Sequence, residues 1–283
     1  MATTSEAVAT APSTGQRPRD RRVTIFRIAA GLVSIGLLFG GMIIFFMLSP
    51  WILIGPEPEG YTAEIHRWHH ADVGALFGFL VAGSLLAAIP DPRRRPVLVQ
   101  AAIVALGSML AVTLVDEISP GGIAIPFIVL TLIIASYPVP RALITIRQGA
   151  SISVPLLVLA VATAVPLLRN AWDNLQLQAD DHSQHAAENH WSGSAAVAIA
   201  LVLIALIVAS RRPGWQVLAG LLGAAYVYLG VAALTIPDHD GSWGVGGGLL
   251  ALVAGGAYLA TAQTERRHVS RSGASMGIAD ERA

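Results

Sequence analysis

The residues of this chain best suited to chemistry lie in one run, Glu64-Ile-His66-Arg-Trp68-His69-His70-Ala-Asp72. On a helix His66, His69 and His70 stand at i, i+3 and i+4, so their imidazoles share one face, and Asp72 follows within a turn. Neutral imidazole nitrogens together with carboxylate oxygens are the donors that zinc, copper and other divalent ions take. A second group, His182-x-x-His185-x-x-Glu188-x-His190, offers another ligand face if it is helical, and His239 sits between Asp238 and Asp240. The candidate metal ligands are therefore His66, His69, His70, His185, His190, His239, Asp72 and Glu188. Glu64, Asp72 and Glu188 are the carboxylates available as a general base. For any one of these residues a solvated, hydrogen-bonded side chain is explanation enough; the metal expectation rests on the set.

Composition removes most other chemistry. Hydrophobic residues make up 54% of the chain and charged residues only 13%, a balance that belongs to a polytopic membrane protein. Cysteine is absent, which excludes disulfides, thiolate metal sites, iron–sulfur clusters and a cysteine nucleophile. Lysine is absent too, so there is no Schiff base to retinal or pyridoxal phosphate and no lysine-dependent phosphate loop. The His-Glu-x-x-His pattern of zinc proteases, dinucleotide fingerprints and nucleic-acid-binding patches are also missing. The partner the composition does imply is the lipid bilayer; protein partners are not specified by it.

The elements that must position the histidines are long apolar helices. Residues 1–22 read as a disordered cytoplasmic tail ending in Arg17, Arg19, Arg21 and Arg22, and 263–283 as a second one. Between them, the transmembrane domain 23–262 predicts eight spans, at roughly 23–47, 70–89, 97–115, 122–137, 152–168, 192–209, 215–236 and 245–262. The first is too long for a signal-peptide core. The fourth is the weakest, with Pro126 inside it and Pro138 ending it. Eight spans with both termini inside place 16 arginines and 6 acids on the cytoplasmic side of a plasma (inner) membrane, against 2 arginines and 12 acids outside. The histidines, not used in that assignment, sort the same way: only His268 falls inside. Trp51, Trp68, Trp172, Trp191 and Trp243 lie at the outer level, as an aromatic belt would.

Two half-repeats, about 23–140 and 150–262, suggest themselves. Each places its longest outer connector after its first span and ends that connector in similar sequence, Glu64-Ile-His66-Arg-Trp68 and Glu188-Asn-His190-Trp191. The next inner loops match as well, Asp91-Pro-Arg-Arg-Arg-Pro against Arg211-Arg-Pro-Gly. A parallel duplication of four helices would bring both histidine clusters to one cavity. Span interiors are almost free of ionisable groups, with Gln100 the polar exception, and this disfavours an ion path through the bilayer. Gly74, Gly78 and the glycines at 246–248 and 255–256 suggest close helix packing.

Eight spans in two four-helix halves and the motif Glu64-x-His66-Arg67 resemble haem A synthase, and the resemblance implies haem held by paired axial histidines; spans four and eight carry no histidine here, and His66 with His190 is the pair that remains to ligate one haem between the halves. Three functions follow from the whole sequence. One is a metalloprotein whose extracytoplasmic site handles zinc or copper or uses it to hydrolyse a membrane substrate. Another is a haem- or quinone-linked redox protein. The third is a transporter or accessory protein without chemistry of its own. No catalytic residue or substrate is selected by the sequence.

Overall fold

The computed structural model describes residues 20–52, 63–115, 120–145, 151–182 and 184–280. Among the described residues every regular element is helical, and seven helices are long and apolar enough to cross a membrane. The first, α1 (Arg21–Ile52), starts where the Asp20 carboxylate accepts from the backbone N–H of Arg22 at 3.0 Å. It is interrupted by a π-helical turn at Gly36–Gly40 and by Met42 at φ 56°. The second, α2, runs through Ala63–Val73, a π-helical stretch Gly74–Gly83 and Ser84–Ala88. Then come α3 (Pro96–Val115), α4 (Pro120–Ser136), α5 (Val154–Asp180), α6 (His190–Ala209), α7 (Trp215–Thr235) and α8 (Gly244–Asp280). Helix α4 supplies only a shorter apolar stretch, Ala124–Ser136, so length gives seven spans where hydropathy predicts eight. Two helices also outrun the hydropathy pattern: α5 continues to Asp180 and α8 to Asp280. On α5 the extension keeps one face packed, with Ala171 and Asn174 buried, so helix formation outlasts the apolar run.

Helices α2, α3, α6 and α7 form the centre, with α6 the most enclosed: 72% of its apolar window is buried, against 11% for α1. Each central helix carries a peripheral partner: α1 packs on α2, α4 on α3, α5 on α6 and α8 on α7. The centre closes through α2 on α3, α6 on α7, α3 on α6 and α2 on α7.

Close approach of backbones sets the α7–α8 interface. A Cβ added at Gly255 would lie 2.7 Å from the Gly223 carbonyl oxygen, and one at Gly230 would lie 2.8 Å from that of Gly248. These glycines recur at a seven-residue interval on both helices, so one face of each is bare where the chains touch. Gly74 and Gly78 likewise receive Met47 of α1. Gly246 and Gly256, by contrast, have nothing within 4 Å, so the expected packing role falls on other members of those glycine runs.

The histidines gather at one end of the bundle and most of the described arginines at the other. At the arginine end, guanidinium groups satisfy carbonyls that helix termini leave open. Arg27 donates to the carbonyls of Ile89 and Pro90 at 2.9 and 2.8 Å, and Arg95 to Ala87 at 2.8 Å. Arg212, buried, donates to Gln100 Oε1 at 2.8 Å and to the Ala142 carbonyl at 3.0 Å, while Gln100 donates to Leu143. Gln100 is thus a loop clamp near the start of α3. Arg211 pairs with Glu265 at 3.0 Å, tying α8 to the end of α6.

Candidate metal centre

The site is built where α2 and α6 begin. On α6, Asn189 takes the left-handed conformation at φ 62°, which asparagine adopts more readily than most residues, and its N–H donates back to the Ala186 carbonyl at 2.9 Å. That turn separates Glu188 from His190 and carries the Glu188 carboxylate over the start of α6, where the helix dipole favours negative charge. There Glu188 Oε2 lies 3.3 Å from His66 Nε2 and 3.5 Å from His190 Nε2. One ligand atom from each of His66, Glu188 and His190 falls within 4.8 Å of the other two. The group joins α2 to α6 and is graded in exposure: the side chain of His66 is 4% exposed, His190 18% and Glu188 34%.

Imidazoles extend the group on both sides. The His66 ring lies 6.0 Å from that of His70 and 4.6 Å from that of His190. His69 stacks on His190 at 4.6 Å with an interplanar angle of 12°, and the His239 ring stands 6.1 Å beyond it. Five histidines from α2, α6 and the α7–α8 loop therefore form one connected cluster. The i, i+4 pair His66 and His70, expected to act together, is drawn apart in role: His66 turns to Glu188, whereas His70 stacks on Phe46 of α1 at 4.5 Å. The π-helical turns follow directly after Val73, so they do not alter the register of the histidines themselves.

Asp72 is 2% exposed and has no direct part in the His66–Glu188–His190 group. It accepts from the Ser194 hydroxyl at 2.5 Å, and Ser194 Oγ lies 3.3 Å from His69 Nδ1. With Ser194 donating to the carboxylate, His69 Nδ1–H donates to Ser194, which leaves Nε2 of His69 as the ring's lone-pair nitrogen. Ser194 was not among the candidates. Its signal is its position four residues after His190 on the same helix face.

Three further contacts hold the frame. The Gln178 amide donates to the Ala186 carbonyl at 2.8 Å and its Oε1 accepts from Ser192 N–H at 3.3 Å, docking the end of α5 on the turn before α6. Trp191 donates to Asp181 at 2.9 Å and sets its indole edge-on to His69 at 5.0 Å. Gly241, at φ 78°, lets the loop bearing His239 settle on this face, because a Cβ there would lie 2.9 Å from the Trp191 ring. Trp68 and Trp191 are 0% and 3% exposed, so they are supports of the site and not part of an aromatic belt, whereas Trp172 is 61% exposed. Both follow a histidine or precede one on a helix that turns that face inward.

His182 is exposed at the end of α5, away from the group. The side chains of Glu64 and His185 lie outside the described residues, as do residues 1–19, which include much of the expected N-terminal tail. Comparisons with models of protein families, with curated proteins and with solved structures give no match to this chain.

Proposed function

We propose that this integral membrane protein binds a divalent transition metal, zinc or copper, between two related halves, with His66, His190 and Glu188 as its ligands. The mutual approach of those three ligand atoms within 4.8 Å carries the proposal. Two nitrogens and one oxygen leave a four-coordinate ion one open position, the arrangement of sites that exchange a ligand or activate water. The exposure of Glu188 puts that position on the accessible side, which suits metal handling or hydrolysis of a membrane substrate. His69 and His239 stand next to the group as further nitrogen donors, and His70 lies beyond His66. Asp72 acts through Ser194 and His69 and does not touch the ion. The direct stacking of His69 on His190 and the edge contact of His66 with His190 favour an ion over the haem alternative, because a porphyrin needs a plane of its own between axial rings.

The packing supports a duplication: shifting every helix by four turns α1 on α2 into α5 on α6, α4 on α3 into α8 on α7, and α3 on α6 into α7 on α2. His66 and His190 would be equivalent under that shift, with the ion near the axis relating the halves. The same correspondence supports reading α4 as the counterpart of α8 and so as an eighth crossing; with eight crossings the arginine bias favours the histidine end outside and both termini in the cytoplasm.

The test is the metal content of the protein purified from membranes through a tag without histidine. About one zinc or copper ion per chain is expected, lost on chelation and regained on adding the ion back. A protein that neither carries nor takes up either ion overturns the proposal. A subtler effect is expected for Ser194→Ala. The hydroxyl holds His69, which stands beside the three ligands and not among them, so zinc or copper affinity should change by no more than a few-fold; a loss of about 10–100-fold, the usual cost of losing a hydrogen-bond partner behind a ligand, would show instead that His69 enters the coordination shell.

A further inference from the structure

A second site lies beside the first. Helices α5, α7 and α8 enclose a cavity of about 310 Å³ that none of the metal ligands lines. Its origin is local. Pro166 interrupts the hydrogen-bond ladder of α5, and α8 presents Gly247, Ala251 and Ala254, which are too small to fill the space opposite. The mouth, at the histidine end, is polar: Arg169 and Asp173 are paired there at 3.5 Å and Ser242 stands across from them. Deeper along the helices the lining becomes apolar, with three exceptions, Thr163, Tyr226 and Asn170. Tyr226, 2% exposed, has the Thr163 side chain as a polar neighbour, but its hydroxyl makes no hydrogen bond of normal geometry among the described residues, and Oδ1 of Asn170 makes none either. Trp243 supplies an aromatic wall and meets Trp68 of α2 at 5.6 Å.

We propose that this cavity binds a quinone-class ligand, a flat ring with oxygen atoms on its edges and an isoprenoid tail. A hydrocarbon chain alone would leave the Tyr226 hydroxyl and the Asn170 oxygen without partners, at a cost that buried polar groups rarely bear. In the reduced form ring oxygens satisfy both: one ring hydroxyl oxygen accepts from Tyr226 and another ring hydroxyl donates to Asn170 Oδ1, while the oxidised form keeps the Tyr226 bond alone. The ring lies against the Trp243 indole. Entry from the bilayer is direct, because α5 and α8 are peripheral, with only 28% and 33% of their apolar windows buried. The inference stands apart from the metal reading, whose ligands are on other residues.

The experiment is equilibrium binding of a decyl-substituted benzoquinone to the full chain in detergent, with wild type compared to Ala251→Leu and Tyr226→Phe, and with metal content measured in parallel. Saturable binding by the wild type is expected, abolished by Ala251→Leu, which fills the cavity. Tyr226→Phe keeps the ring and removes one hydrogen bond, so it should weaken binding roughly 3–10-fold while metal content stays unchanged. Absence of saturable binding by the wild type overturns the proposal, as does equal affinity in both variants. Recovery of a stoichiometric phospholipid or fatty acid in place of quinone from the wild type, but not from Ala251→Leu, also overturns it.

Discussion

Replacing His66 or His190 by alanine is expected to strip the bound metal, each substitution alone lowering zinc or copper affinity by more than the ~10–100-fold that loss of an outer hydrogen-bond partner costs. Each change removes one of only three ligands and leaves Glu188 facing a single imidazole. The two variants should resemble each other, because each removes one imidazole from the same three-residue group. His70→Ala is the informative contrast. His70 stacks on Phe46 and stands outside the closest group, so its loss should leave metal content near that of the wild type. Metal analysis on all three proteins decides the matter. Loss of metal in His70→Ala with retention in His190→Ala would mean that the i, i+4 pair on α2 is the true ligand set and that α6 contributes less than its geometry suggests.

Gly255→Leu should clearly destabilise the helix bundle. The new Cβ would lie 2.7 Å from both the Gly223 carbonyl oxygen and the Val227 side chain, and the remaining leucine atoms would have to push α8 off α7. Overpacking of this kind costs about 1–3 kcal/mol, and here the obstacle is backbone and cannot rotate away. A clear fall in the melting temperature of the detergent-solubilised protein is expected. Gly256→Leu, one residue along and with nothing within 4 Å, should melt close to the wild type. If the two variants lose stability equally, the glycine face is not what sets the α7–α8 distance.

Much of the architecture was legible in the sequence because hydrocarbon imposes it. A run of apolar residues about as long as the bilayer is thick has few ways to be satisfied other than as a helix. The ends of α3, α6 and α7 accordingly lie near their hydropathic limits, as does the C-terminal end of α2, whereas α2 begins at Ala63, before the expected start near 70, because its polar first turns pack as helix. What hydropathy does not register is helix that persists into water, and this is why α5 and α8 run past their expected ends. It also weighs α4 poorly, since Pro120, Pro126 and Pro138 shorten its apolar run.

The site was legible in residue type and only partly in geometry. His66, His190 and Glu188 stood among the candidates for their chemistry and their nearness to span ends. Their convergence depends on the left-handed turn at Asn189 and on the docking of Gln178 against Ser192, neither of which leaves a pattern in sequence spacing. His66 and His70 looked like a pair because periodicity reports one helix at a time. The helix that actually faces His66 is α6, more than a hundred residues away. Ser194 escaped notice for a similar reason: a serine in an apolar helix is commonplace, and its meaning comes from Asp72 and His69 across the interface. Trp68 and Trp191 read as interfacial residues from their place at the span ends, while their burial depends on tertiary packing alone.

Whether one ion is held jointly by α2 and α6 is read from the X-ray absorption fine structure of the zinc- or copper-loaded protein at the metal edge. Two imidazole nitrogens and a carboxylate oxygen in the first coordination sphere are predicted, at roughly 2.0–2.2 Å for zinc. One imidazole should disappear in His66→Ala and one in His190→Ala. A shell of oxygen atoms only, or an imidazole count that neither substitution changes, would contradict the account and leave the histidine cluster without an ion of its own.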